Sequence, residues 1–306
     1  MRSTIGIHGA AGAVGSATAL ALALAAGDGP VRLVLADAAE PRLACLAMDL
    51  EMLAAALPGL EVEIGDVGAL AACVVVVACA SVPHRDGAPR AAFLDENAAI
   101  LAPLADALEE SAARCRAVVL VSNPVDALAT WLQRRLDGRV HVLGHTLNDS
   151  LRLRVAIARC HGCEPAEVEA WSVGEHGPRA VPLLSRVRVR GAAVTLSPSE
   201  RTRVLGELGG WYERWQRHGT GRTSALSSGW GAAAVVRALL EGDPRPWPVS
   251  TLLHGEYGVD GVCLTAPTVL SPREPPRPLA WEVDADERAA IAAAAVAIGG
   301  MACASC

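Results

Sequence analysis

The sequence predicts an α/β protein: a doubly wound parallel sheet over residues 1–144, followed by a mixed α+β unit over residues 145–306. Three observations predict it. Short β-branched or aliphatic runs alternate with longer segments of helical composition, the rhythm of strand–helix–strand units joined by right-handed crossovers. A glycine-bearing loop, Gly9-Ala10-Ala11-Gly12-Ala13-Val14-Gly15, falls between the first strand and the first helix. After Gly144 the alternation gives way to long helices, an Arg-rich arm and a Pro/Gly-rich stretch.

The elements follow in order. Residues 4–8 read as a strand and 12–26 as the helix behind it. Residues 31–35 are a second strand, aliphatic and closed by Asp37. Residues 42–56 have helical composition and 62–64 form a short strand. Residues 74–78 are a continuous apolar run, as expected of a strand covered on both faces. A polar loop over 81–89 precedes a helix over 91–111. A buried strand over 117–121 ends in Ser122-Asn123-Pro124, followed by a helix over 125–136 and a strand over 140–143. Beyond Gly144 come a helix over 149–161, a strand over 168–173, an alternating arm over 186–190, and helices over 199–218 and 231–240. Short strands across 243–278 and a terminal helix over 284–301 complete the chain.

Composition narrows the chemistry. Of the 306 residues 52% are hydrophobic and 20% charged, which suits a packed globular chain. The net charge of −6, one Phe and two Tyr leave neither a basic groove nor a stacking surface, so nucleic acid is not an expected partner. There is no lysine, which excludes Schiff-base catalysis and a Walker-type phosphate site. Nine scattered cysteines form no disulfide framework and suggest a reducing compartment, the cytoplasm. The pairs Cys160/Cys163 and Cys303/Cys306 are expected to pack or fray, and no metal is assigned to them. The N-terminal apolar stretch imitates a secretory signal or a membrane span. Gly9, Gly12 and Gly15 would weaken such a helix, and the strand–loop–helix–strand reading is preferred.

Gly9, Gly12 and Gly15 let backbone approach a pyrophosphate at the start of a helix. Asp37, ending the next strand, can accept both ribose hydroxyls and would repel a 2′-phosphate, while Ala38 and Ala39 offer no positive charge. A Rossmann-type NAD site is therefore expected.

With this loop, Ser122-Asn123-Pro124-Val125-Asp126, Asp149-Ser150-Leu151-Arg152, Gly174-Glu175-His176-Gly177 and Gly255-Glu256-Tyr257-Gly258, the chain resembles the lactate/malate dehydrogenase superfamily, and most of all its lactate dehydrogenase-like malate dehydrogenases. The resemblance implies an NAD-dependent oxidoreductase for a small anionic 2-hydroxy or 2-oxo acid, malate/oxaloacetate favoured, working as a homodimer or homotetramer away from membranes. His176 would be the general acid/base, Asp149 would hold its tautomer, and Arg152 would clamp the substrate carboxylate. Arg90 would be brought in to polarise the carbonyl. Asn123 and Ser228 would face the substrate. Ala13, Val14, Asn97, Ser122 and Asn123 would join Gly9, Gly12, Gly15 and Asp37 around the cofactor.

The chain departs from the family pattern at His84, where malate enzymes usually carry an Arg for the second carboxylate. Arg85 could substitute, though Asp86 stands next to it. The segment between Gly144 and Asp149 looks one residue short, and Ala80 stands where the family often has Gly. A dehydrogenase of a specialised 2-oxo acid, and a silent nucleotide-binding sensor, are the competing readings.

Overall fold

A computed structural model describes residues 3–25, 29–83, 85, 90–111, 114–219 and 224–303, with the side chains of 90, 91 and 303 left aside. The first half contains β1 (Ser3–His8), α1 (Ala13–Leu24), β2 (Val31–Ala36), α2 (Glu40–Ala54), β3 (Leu60–Ile64), α3 (Val67–Ala71), β4 (Val75–Ala78), α4 (Arg90–Glu110), β5 (Ala117–Leu120), α5 (Val125–Leu136) and β6 (His141–His145). The second contains α6 (Leu147–His161), β7 (Val168–Glu169), β8 (Ser172–Gly174), β9 (Ala180–Pro182), β10 (Arg188–Val189), β11 (Ala192–Ala193), α7 (Pro198–Gly209), α8 (Trp211–Gln216), α9 (Ala225–Glu241), β12 (Asp243–His254), β13 (Asp260–Leu270), β14 (Arg277–Pro278) and α10 (Ala285–Cys303).

The expected doubly wound sheet is present. The parallel strands run in the order β3-β2-β1-β4-β5-β6, and the point where the order reverses lies between β1 and β4. Such a reversal opens a crevice at the carboxyl ends of the strands, where ligands bind in folds of this kind. Both faces are covered, and strand alternation divides the core. Ile5, Ile7, Leu33, Leu35, Val75 and Val77 pack with α1, α2 and α9. Val34, Ala36, Val76, Ala78, Val118 and Leu120 pack on the opposite face with α4, α5 and α10. This explains why these strands read as unbroken apolar runs.

The sheet does not stop at Gly144. The antiparallel hairpin β12–β13 adds to β6 through Val249↔His145 and Ser250↔Gly144, and β8 and β9 extend it to 11 strands with β14. A separate three-stranded sheet joins β11, β10 and β7.

Four sequence expectations are corrected. The helix expected over 199–218 is broken into α7 and α8 at Gly209-Gly210, two poor helix formers in succession. The helix expected from 231 begins at Ala225, because Gly229 and Gly231 serve packing within it rather than a turn. A Cβ on Gly231 would lie 2.3 Å from Cε1 of the buried His145 ring. The strands expected as short pieces over 243–278 are two long ones. The prolines of β12 crowd its first part, where its register with β13 shifts between Asp243 and Trp247 and missing donors cost little. The strand expected over 168–173 divides between the two sheets as β7 and β8. No helix among the described residues is long and apolar enough to cross a membrane.

Candidate active site

The catalytic candidates converge at the start of α6. Thr146 precedes the helix and its hydroxyl donates to the Pro248 carbonyl at 3.1 Å, which anchors the helix entry to β12. Asp149 lies in the first turn, where a carboxylate is favoured by the helix dipole. Arg152 is three residues on and faces the same side. Its Nη1 donates to Asp149 Oδ1 at 3.0 Å.

His176 comes from the β8–β9 turn, entered through Gly174 at φ 79, a left-handed conformation suited to glycine. Its Nδ1 lies 2.6 Å from Asp149 Oδ2. With Nδ1–H donating to the carboxylate, Nε2 is left as the acceptor. All three side chains are partly exposed, at 17%, 16% and 25% for His176, Asp149 and Arg152, so a small solute can reach a site that is still shielded.

The sequence assigned no role to two supports of this site. Asp126, in the first turn of α5, is buried and its Oδ2 accepts the His176 backbone N–H at 2.6 Å. Burial pushes its carboxyl up to about 6, against the Ser250 hydroxyl and the His176 charge and amide, which lower it. Trp211, the first residue of α8, lies under Arg152, with the guanidinium carbon 3.8 Å from the ring centroid. Asp126 stood at the end of the Ser122-Asn123-Pro124-Val125-Asp126 motif, where nothing local showed that it would reach the His176 turn. Trp211 left no signal.

The other expected site residues fall as follows. The Ser228 hydroxyl accepts from Asn148 Nδ2 at 2.9 Å, so it ties α9 to α6 beside Asp149. Ser122 donates to the Ala80 carbonyl at 2.7 Å. Asn97 is buried, accepts the Val82 N–H at 2.8 Å and donates to the Asn123 carbonyl at 2.7 Å, strapping two loops together. Asn123 itself is exposed after β5. Arg90 opens α4, and its side chain lies outside the described residues, as does His84. Arg85 is engaged with Glu96 at 2.6 Å and lies 5.1 Å over the Phe93 ring.

The glycine loop has the geometry of a phosphate cradle. Gly9 has φ +81, and a Cβ there would lie 2.4 Å from the Ala80 nitrogen. A Cβ on Gly15 would lie 2.1 Å from the Gly9 carbonyl oxygen. Gly12 caps α1 without a side chain, Ala13 beside it is exposed and Val14 half-buried, and the first N–H groups of a helix have no carbonyl partner within it. Asp37 Oδ2 accepts the Ala11 N–H at 2.9 Å and Oδ1 the Ala39 N–H at 2.8 Å, which fixes its carboxylate at the loop. Cys160 sits with His161 and Glu200, their donor atoms within 4.8 Å of one another. The Glu200 carboxylate is committed to capping α7 through Ser197.

Comparison with known proteins agrees with this geometry. Residues 3–138 match the model of the lactate/malate dehydrogenase NAD-binding domain. The malate dehydrogenase of Halobacterium salinarum is 32% identical over 291 residues, 93% of each chain. The chain belongs to the lactate/malate dehydrogenase family. An L-lactate dehydrogenase of Synechococcus is 33% identical over 235 residues, 72% of this chain and 74% of that one. In fold, this family member matches the malate dehydrogenase of Cryptosporidium parvum with a TM-score of 0.87, at 22% identity and over 100% and 99% of the two chains. The lactate dehydrogenase of the same organism, solved with lactic acid and NAD, also gives 0.87, at 21% identity and over 100% and 98%. As a member of this family the chain is an NAD-dependent 2-hydroxy acid dehydrogenase.

Proposed function

We propose that this dehydrogenase interconverts malate and oxaloacetate, with His176 as its acid/base. The observation that carries the acid/base assignment is the 2.6 Å contact between His176 Nδ1 and Asp149. Malate and lactate enzymes both match the chain at similar identity, and the choice of malate is our reading, supported by the long match to the Halobacterium malate enzyme, 93% of both chains.

The residues divide the work. Glycines 9, 12 and 15, with Ala13 and Val14, hold the pyrophosphate of NAD, and Asp37 takes the ribose hydroxyls. Asn97, Ser122 and Asn123 shape the nicotinamide end. Bound NAD supplies the hydride acceptor. In oxidation His176 Nε2 takes the hydroxyl proton, and Asp149 stabilises the imidazolium that results. Arg152 holds the carboxylate by its forked donors, and Arg90 polarises the carbonyl. Ser228 bounds the substrate side. Exposed Met48 and Met52 on α2 offer apolar surface that a homodimer or homotetramer would cover, and light scattering measures that mass. A cytoplasmic setting agrees with the free cysteines.

The test is NADH oxidation at 340 nm with oxaloacetate, pyruvate and a panel of longer 2-oxo acids. Oxaloacetate is expected to be the best substrate. His176→Asn is expected to lower turnover by at least ~100-fold and to leave NADH binding intact. Full turnover by that variant rejects His176 as the base. The pairing of Arg85 with Glu96 favours a second reading, a specialised 2-oxo acid, because it occupies a cation that a second carboxylate could have used. A longer 2-oxo acid outrunning oxaloacetate selects that reading.

A further inference from the structure

We propose that Trp211 is a positioning residue for substrate recognition, fixing the plane of the Arg152 guanidinium so that its free edge meets the substrate carboxylate. The inference rests on the dehydrogenase reading of this site and assigns a role to a residue of the second half that no motif marks.

A guanidinium has two kinds of surface. Its five N–H donors lie in the plane, and its faces carry none. Asp149 takes one in-plane donor at 3.0 Å, through Nη1. The Trp211 ring lies against the group from another side, with the guanidinium carbon over the ring and 3.8 Å from its centroid, a separation too short for a nitrogen to point straight down at it. The two contacts do not compete: the carboxylate takes Nη1 and the ring lies over the central carbon, which donates nothing. Together they fix the group in translation and in rotation, whereas the ion pair alone would leave the plane free to turn. A bidentate carboxylate contact depends on that plane.

Trp211 is itself held. Its ring stacks on Trp215 with centroids 5.3 Å apart and planes at 18°. Trp215 is one turn further along the same short helix. Helix α8 follows α7 directly after Gly209-Gly210 and carries Trp211 at its first position, against the Arg152 side chain. With the indole in place the Arg152 side chain is 25% exposed, and burial pulls its pKa down from the ordinary value. A partly dried cation attracts a carboxylate more strongly than one in water.

The experiment compares Trp211→Ala and Trp211→Phe with the native enzyme, holding NADH saturating and varying the best 2-oxo acid. A cation–π contact of this kind corresponds to roughly a 3- to 30-fold effect on binding. Trp211→Ala is expected to raise KM for the 2-oxo acid by that factor and to leave the Kd of NADH, read by fluorescence, within twofold. Trp211→Phe, which keeps an aromatic face, is expected to recover most of the loss. The inhibition constant of oxamate, a carboxylate that undergoes no turnover, should rise in step with KM. An unchanged KM in the Ala variant overturns the proposal. So does a loss of NADH affinity equal to the rise in KM, or a Phe variant as poor as Ala, since each points to general disruption. If the native enzyme reduces no 2-oxo acid at all, the dehydrogenase reading fails and this inference goes with it. That outcome is distinct from an active native enzyme whose Ala variant is unimpaired.

Discussion

Asp126 holds the His176 turn through its backbone, and it does so from inside the core. Its carboxyl lies among groups that pull in opposite directions. Burial disfavours its charge, and so does Glu175 in the β8–β9 turn. The Ser250 hydroxyl on β12 and the His176 amide and ring favour it, and Cys263 on β13 lies close enough to feel it. The balance is a carboxyl raised from 3.8 to about 6. In the window between these values the folded protein keeps a proton that the unfolded chain has released. Stability therefore falls as pH rises through the window and levels off above it. Asp126→Asn keeps an acceptor for the His176 N–H and has nothing to titrate. Its stability relative to the native protein should grow as pH rises from 4 to 6, by at most about 3 kcal/mol. Urea denaturation of both proteins at pH 4, 5, 6 and 7 measures the difference. Parallel curves across that range would show that Asp126 does not titrate in it.

Helix α9 shows how a local rule misleads. The sequence starts this helix only at Gly231, because the serines and glycine of Ser227-Ser228-Gly229 are poor helix formers. In the fold these residues lie inside the helix, and Gly231 is there because the His145 ring leaves no room for a Cβ. That constraint comes from β6, far away in sequence, and no local pattern carries it. The same holds for Asp126 and Trp211, whose partners are 50 or more residues away in the chain, at His176 and Arg152 respectively. Asp149, Arg152 and His176 were legible because a reaction needs those residue types together and their motifs keep a recognisable order. Helix α5 was legible to the residue, Val125–Leu136, because Pro124 precedes it and Asp137 closes it in a left-handed conformation. Gly231→Ala and Gly206→Ala separate propensity from packing. At Gly206 on α7 there is nothing within 4 Å of a new Cβ, so the substitution should stabilise by up to about 1 kcal/mol. At Gly231 the Cβ would lie 2.3 Å from Cε1 of a buried ring, so the same change should destabilise by about 1–3 kcal/mol despite the better propensity. Thermal melts of the two variants should move in opposite directions, and a stabilised Gly231→Ala would mean that the helix and ring relax apart without cost.

The chain reads in two halves, yet its sheet and its cores ignore the boundary. Strand β6 has β5 on one side and β12 on the other, so removal of the second half would expose its outer edge. An open edge of apolar strand invites association with other chains. Helix α9 supplies Ala232, Ala233, Val235, Val236 and Leu239 to the same core as Ile5, Ile7 and Leu33 of the first two strands. Helix α10 supplies Ile291, Ala294 and Ile298 to the core on the opposite face. A fragment of residues 1–144 would therefore lose cover from both faces of its sheet as well as one edge. Exposing even four or five of these side chains forfeits roughly 1.5–3 kcal/mol each, which equals the whole stability of an ordinary domain. The nucleotide loop lies wholly within residues 1–144, but the scaffold that holds it does not. The expected outcome is a fragment that associates or melts without a cooperative transition and binds NADH weakly, measured by light scattering, calorimetry and fluorescence titration. A monomeric fragment with a sharp melt and native NADH affinity would show instead that the first half is a self-sufficient domain, and that α9 and α10 cover a core already stable without them.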